Sequence, residues 1–222
     1  MFAIPGGSQG VVSKFLVGST NDTAGTSQTH SGLAIGSPDP QRLVVAIVSW
    51  NDNDLNPTLI TGVTCGGVAM TKAIGTTYSD NGDGAAIYYL NVASGATADF
   101  VVSCNSTFNY SGVMVYELHG LNSLTPTAAT FAEDTLAMGY AETNIDVVNG
   151  GAVLWGCHVA GIASFFNHTY DGISVPDDYD AKVLDITRTA ASKIADYTKA
   201  SVAIRATSGY TSVKYLVAAV WR

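Results

Sequence analysis

Residues 42–50 read RLVVAIVSW, and residues 59–74 read LITGVTCGGVAMTKAI. The first stretch is a continuous apolar run rich in β-branched residues, and Ser37-Pro38-Asp39-Pro40 punctuates the chain just before it. A run of that length and content predicts a strand buried on both faces rather than a helix. The second stretch carries Gly66-Gly67 between two strand-like segments. Two glycines accept the positive φ that a two-residue connection demands, so 59–65 and 68–74 are predicted to form a hairpin.

The same punctuation continues outward. Asp80-Asn81-Gly82-Asp83-Gly84 leads into 85–92, Ser94-Gly95-Ala96 into 98–104, and Gly120 ends 112–119. Residues 121–139 are irregular and admit a short helix or a long crossover loop. Strands resume at 144–148, 152–160, 181–188, 192–197, 200–206 and 212–222, and 163–178 read as a loop. Short strands with turns every ten residues or so predict an all-β chain. Its fold is an antiparallel β-sandwich, jelly-roll or immunoglobulin-like. Residues 1–30 are rich in Gly, Ser and Thr and predict an extended N-terminal arm, with one short strand around 11–17. Residues 31–222 predict one sandwich domain, with no exact internal repeat.

Composition narrows the function classes. The chain has 222 residues, 47% hydrophobic and only 13% charged. That excludes a disordered chain and a long coiled coil. The net charge of −8 disfavours free nucleic acid as a partner. No apolar stretch is long enough for a membrane-spanning helix, and the N-terminus lacks the pattern of a secretory signal. The charge is polarised along the chain: residues 1–180 carry a balance of −13, residues 181–222 one of +5. Either the last strands lie beside acidic loops of the same domain, or opposite-signed patches on neighbouring subunits meet in an assembly. Lys199 and Arg205 share one predicted strand face, and Trp221 predicts a tied-down C-terminal end.

Motifs for chemistry are lacking. The sequence holds no nucleophile elbow, zinc pattern or phosphate-binding loop. Cys65, Cys104 and Cys157 are widely spaced and read as small buried apolar residues. Glu117 and His119 share a strand face and read as a pair at the strand end. Asp80-Asn81-Gly82-Asp83 lacks the spacing of a calcium loop and reads as a solvated turn. No catalytic residue, cofactor or metal is expected. Phe165, Phe166, His168, Tyr170 and Tyr179 crowd one loop, which suits stacking on sugar rings or docking on protein.

The segments RLVVAIVSW, ITGVTCGGVAMTKA, AAIYYLNVASGATADFVVS and GVMVYELHGL, spanning 42–121, resemble an uncharacterised group of all-β proteins of tailed bacteriophages and prophages. The resemblance implies a virion structural protein and no enzyme. Its expected role is a capsid decoration or cement protein. The alternative is a receptor- or carbohydrate-binding module at a neck, tail or fibre. Expected partners are other virion proteins (the major capsid protein, or neck and tail proteins) and further copies of the chain. The residues expected to make these contacts are Phe2, Ile4, Phe15 and Leu16 of the arm. Phe165, Phe166 and Tyr170 of the aromatic loop, with Lys199, Arg205 and Trp221, complete the set.

Overall fold

The computed structural model describes residues 10–52, 58–76, 82–134, 139–160, 166–183, 186–208 and 213–222, and these form eighteen strands and no helix. The first nine are β1 (Val12–Asn21), β2 (Gly25–Ala34), β3 (Leu43–Asn51), β4 (Ile60–Cys65), β5 (Val68–Ala69), β6 (Thr71–Gly75), β7 (Gly84–Asn91), β8 (Thr97–Phe108) and β9 (Tyr110–His119). Their pairing is nested and antiparallel: β1 with β9, β2 with β8, β3 with β7, β4 with β5. Nested pairs of this kind are a long hairpin rolled into two sheets, which is jelly-roll topology. The inner sheet runs β1-β9-β3-β7-β6 and the outer sheet β2-β8-β4-β5.

The next nine strands are β10 (Ala128–Asp134), β11 (Tyr140–Val147), β12 (Ala152–Ala160), β13 (Phe166–Tyr170), β14 (Ile173–Val175), β15 (Tyr179–Val183), β16 (Ile186–Ile194), β17 (Lys199–Ser208) and β18 (Lys214–Trp221). They repeat the first nine strand for strand. The second inner sheet runs β10-β18-β12-β16-β15 and the second outer sheet β11-β17-β13-β14. The chain is therefore two sandwiches of one topology, which corrects the expectation of a single domain over 31–222. The arm is corrected too. Within 1–30, β1 pairs along the whole of β9, and β2 pairs with β8 in the opposite sheet. Thr20, Thr26, Ser27, Thr29 and Ser31 face solvent while Leu16, Gln28 and His30 turn inward, so a polar composition concealed two edge strands.

Three apolar clusters set the layers. One fills the first sandwich around Val44, Val48, Phe100 and Val113. A second fills the other around Trp155, Val202, Ile204 and Leu216. The third joins the two inner sheets: Leu43, Val45, Ile47, Met114 and Leu118 meet Leu154, Ala190, Val217, Ala219 and Trp221. The layers thus stack outer, inner, inner, outer. Every residue of β3 and of β18 is buried, because one face looks into a sandwich and the other into the seam. That explains why RLVVAIVSW shows no alternation.

The local readings fare unevenly. The Gly66-Gly67 turn forms, but only Val68–Ala69 of the expected second arm 68–74 pairs back onto β4; Thr71–Gly75 crosses to the inner sheet and pairs with β7. Of residues 121–139, the described residues 121–134 hold β10 and no helix. Residues 163–178 hold a second hairpin, β13–β14, turning at Asp171 and Gly172, both with positive φ (51° and 80°).

Candidate functional site

Most of the residues expected to contact partners serve the chain itself. Phe2, Ile4 and Phe165 lie outside the described residues. So does the side chain of Phe166, whose backbone opens β13. Phe15 enters the seam, 5.3 Å from the Tyr116 ring and 5.7 Å from that of Tyr179. Leu16, its neighbour on the pleat, packs on the first core. Tyr170 is fully buried beside Trp155. Trp221 is also fully buried, 5.9 Å from the Tyr89 ring, and its indole N–H donates to Leu124 O at 3.2 Å. The C-terminal end is tied down as expected, but this residue is no surface contact.

Most described cations of the last strands find acids within the molecule. Lys199 holds Asp171 at 2.7 Å, and Arg205 donates to Glu142 at 2.6 Å while lying 4.3 Å over the Tyr140 ring. Lys193 pairs with Asp196, and the buried Lys214 with Asp134. Buried Arg188 lies in the field of Asp83. The basic last strands therefore pair with acids of the same chain, those of strands β10 and β11 and of the Asp171 turn.

Toward the Trp50 end of β3, the seam changes from apolar to polar. Ser49, Asn51 and Asp83 of the first sandwich face His158 and Arg188 of the second, and all five are at most 5% exposed. Asn51 donates to Asp83, whose other oxygen lies 3.9 Å from His158 Nε2. Arg188 lies against Gly112, where an added Cβ would come within 2.5 Å of its Cδ. Burial pushes the guanidinium down to about 10. Its Nε and Nη2, and both ring nitrogens of His158, have no hydrogen-bond partner among the described residues. These groups fix how the two sandwiches meet but are closed to solvent. Sequence reasoning placed Asp83 in a solvated turn and missed this cluster. The signal was Arg188 and His158 standing within otherwise apolar or small-residue strands.

Two other histidines bridge sheets. His30 reaches Ser19 at 3.0 Å and Ser111 at 2.8 Å, and Ser111 donates to Gln28. Burial, with Arg188 nearby, pushes His30 down to about 4. His168 accepts the Trp155 indole N–H at 2.7 Å and contacts Thr189 at 2.8 Å, and burial pushes it down to about 3. Both are neutral and occupied by structural bonds. Glu117 and His119 do meet at the strand end, 3.5 Å apart, joined by Lys14 and Asp39. All three cysteines are buried and free.

What remains at the surface differs between the halves. The four strands of the first outer sheet contain one charged residue, Asp99, whose carboxylate accepts the Gly32 N–H at 2.7 Å. Exposed Ser27, Thr29, Ser31, Thr61 and Asn105 give this face an uncharged hydroxyl and amide texture. Its edge strand β2 is ten residues long without a charge. The second outer sheet instead bears the Glu142–Arg205 and Asp171–Lys199 pairs. Near it, a groove of about 370 Å³ is lined by Asn167, Ser174, Val175, Pro176 and Asp177. Burial and the neighbouring Asp180 and Asp178 push the Asp177 carboxyl up to about 6. The described groups of His, Cys, Asp and Glu include none arranged to hold a metal ion.

No protein-family model matches the chain, and no curated protein matches it. Among solved structures, one similar chain is an anti-sigma factor domain-containing protein. Its TM-score is 0.26 and its identity 6%, over 86% of this chain and 78% of that one. A likeness of that size carries no argument about fold or function.

Proposed function

We propose that this chain is a non-enzymatic structural component of a tailed-bacteriophage virion, a decoration or cement protein that binds neighbouring capsomers through its first outer sheet. One observation carries the reading: a broad face almost without charge, bordered by the ten-residue uncharged edge strand β2. Edge strands without charges are templates for pairing with another chain, and an uncharged hydroxyl face loses less hydration on contact than a charged one. The resemblance of residues 42–121 to phage virion proteins supports the same reading. Jelly rolls occur among capsid and lectin domains alike, so the architecture alone does not choose between them.

Particles of the phage or prophage that encodes the chain provide the test. The chain is expected in purified particles at a fixed copy number by quantitative mass spectrometry, and its absence overturns the reading. Ser27→Lys with Thr29→Lys is expected to abolish attachment while leaving the thermal midpoint within a few degrees. Unchanged attachment would remove the first outer sheet as the contact.

The groove beside Asp177 favours a second reading, a receptor- or carbohydrate-binding module. The described aromatics of that segment do not line it: Tyr170 points into the second core and Tyr179 into the seam. A glycan-array signal abolished by Asn167→Ala would favour this second reading.

A further inference from the structure

Duplication places the two halves in register, residue against residue. Cys65 and Val68 pair across the Gly66-Gly67 turn, as Tyr170 and Ile173 do across Asp171-Gly172. In the first, Gly66 N–H donates to Asp99 O at 2.8 Å; in the second, Asp171 N–H donates to Ala203 O at 2.8 Å. The bond from Val92 N–H to Arg42 O likewise recurs from Ala195 N–H to Gly151 O. Ser94 and Tyr197, each two residues further on, are therefore counterparts. Leu90 opposite Val44 and Lys193 opposite Val153 are another such pair.

In the second sandwich this place is full. The Tyr197 ring lies 5.9 Å from that of Tyr170, and its hydroxyl donates to Asp171 at 3.0 Å. Lys193 lies 5.5 Å over the Tyr170 ring. In the first sandwich Ser94, Cys65 and Gly66 stand in for Tyr197, Tyr170 and Asp171. They leave a cavity of about 330 Å³, whose lining also includes Ile35, Leu90 and Val68. That volume lies at the small end of ligand pockets. Ile35 and Cys65 are buried in the adjoining core, whereas Val68 is 57% exposed, one of the most exposed large apolar residues described.

We propose that this cavity is a docking site for an aromatic side chain presented by a partner polypeptide. The second half shows what such a site accepts, because its own tyrosine occupies the equivalent position. With glycine in place of Asp171, the first site has no carboxylate to take a phenol hydroxyl. An apolar phenylalanine ring is therefore the better match. Its burial against Ile35, Leu90 and Val68 supplies the attraction.

The probe is N-acetyl-phenylalaninamide with the purified full chain, read by saturation-transfer NMR at millimolar concentration. Transfer to the ring protons is expected with the wild type. Ser94→Tyr, which copies the plug of the second half, is expected to remove it without lowering the thermal midpoint. Val68→Asp, at an exposed position, is expected to weaken it several-fold. No transfer to the wild type, equal transfer to Ser94→Tyr, or an equal signal from N-acetyl-alaninamide would overturn the proposal. None of these readouts depends on a virion role.

Discussion

Ile47 of β3 rests on the bare backbone of Gly156 in β12: a Cβ built on Gly156 would lie 2.5 Å from Ile47 Cγ2. The two are counterparts. Ile47 stands between Ile87 and Met114 in its sheet, Gly156 between Ala190 and Val217 in its own. A bulky residue in one half thus meets a missing side chain in the other. Gly156→Ala is expected to destabilise the chain by about 1–3 kcal/mol, the usual cost of overpacking. Ile47→Ala combined with it should cost less than the sum of the two single changes. Urea titration of the single and double variants measures the coupling, and strict additivity would disprove the contact.

Arg42 is buried under the turn that precedes β8. It donates to Val92 O, Gly36 O, Ser94 O and Gly95 O at 2.7–2.9 Å, four carbonyls from two loops. A planar guanidinium spans them, whereas an ammonium on one atom cannot. Arg42→Lys is expected to cost about 2–4 kcal/mol, with unmet carbonyls left behind. Thermal melting checks it, and a midpoint within a degree of wild type would contradict the clasp.

Lys214 and Asp134 form a buried pair at 3.5 Å between β18 and β10. Removing one partner strands a charge, at about 3–5 kcal/mol, while replacing both by apolar residues is often neutral. Lys214→Met should therefore be strongly destabilising, and Asp134→Leu added to it should restore most of the loss. Chemical denaturation of the three variants decides.

His30 and His168 are held neutral, at about 4 and about 3 against an ordinary 6.5. The unfolded chain takes their protons first as the pH falls. Their stabilisation is whole above pH 6.5, declines below it, and is lost once the pH passes the lowered values. For His30 the effect is at most about 3 kcal/mol. The Asp177 carboxyl, raised to about 6, works in the opposite sense and is partly screened at the surface. Stability measured at pH 7.5, 5.5 and 4 should fall, and His30→Asn should flatten that fall. A slope unchanged by the substitution would show that His30 is not its source.

The strand runs, the Gly66-Gly67 turn and the outward face of Lys199, Ser201, Ala203 and Arg205 were legible because side chains alternate with a period of two. The hairpin at Asp171-Gly172 was read as a loop because of the surrounding aromatics, although Asp-Gly between Tyr170 and Ile173 is a strong turn signal. The duplication was not legible. Equivalent positions keep their burial but not their identity, as Ile47 against Gly156 and Leu118 against Trp221 show. β1 and the part of β2 before residue 31 read as an arm because an edge strand buries only one face and fills much of the other with Ser and Thr.

The sequence by itself determined an all-β chain of short strands, buried unpaired cysteines and a low surface charge, since these follow from local alternation, turn chemistry and composition. Only the tertiary structure decided which surfaces meet. It turned Phe15, Tyr179 and Trp221 into a seam, set Arg188 near Asp83 across two sandwiches, and left beside Ser94 the space that Tyr197 fills in the other half. Those relations join residues more than a hundred positions apart, and packing, not the order of the chain, selects them.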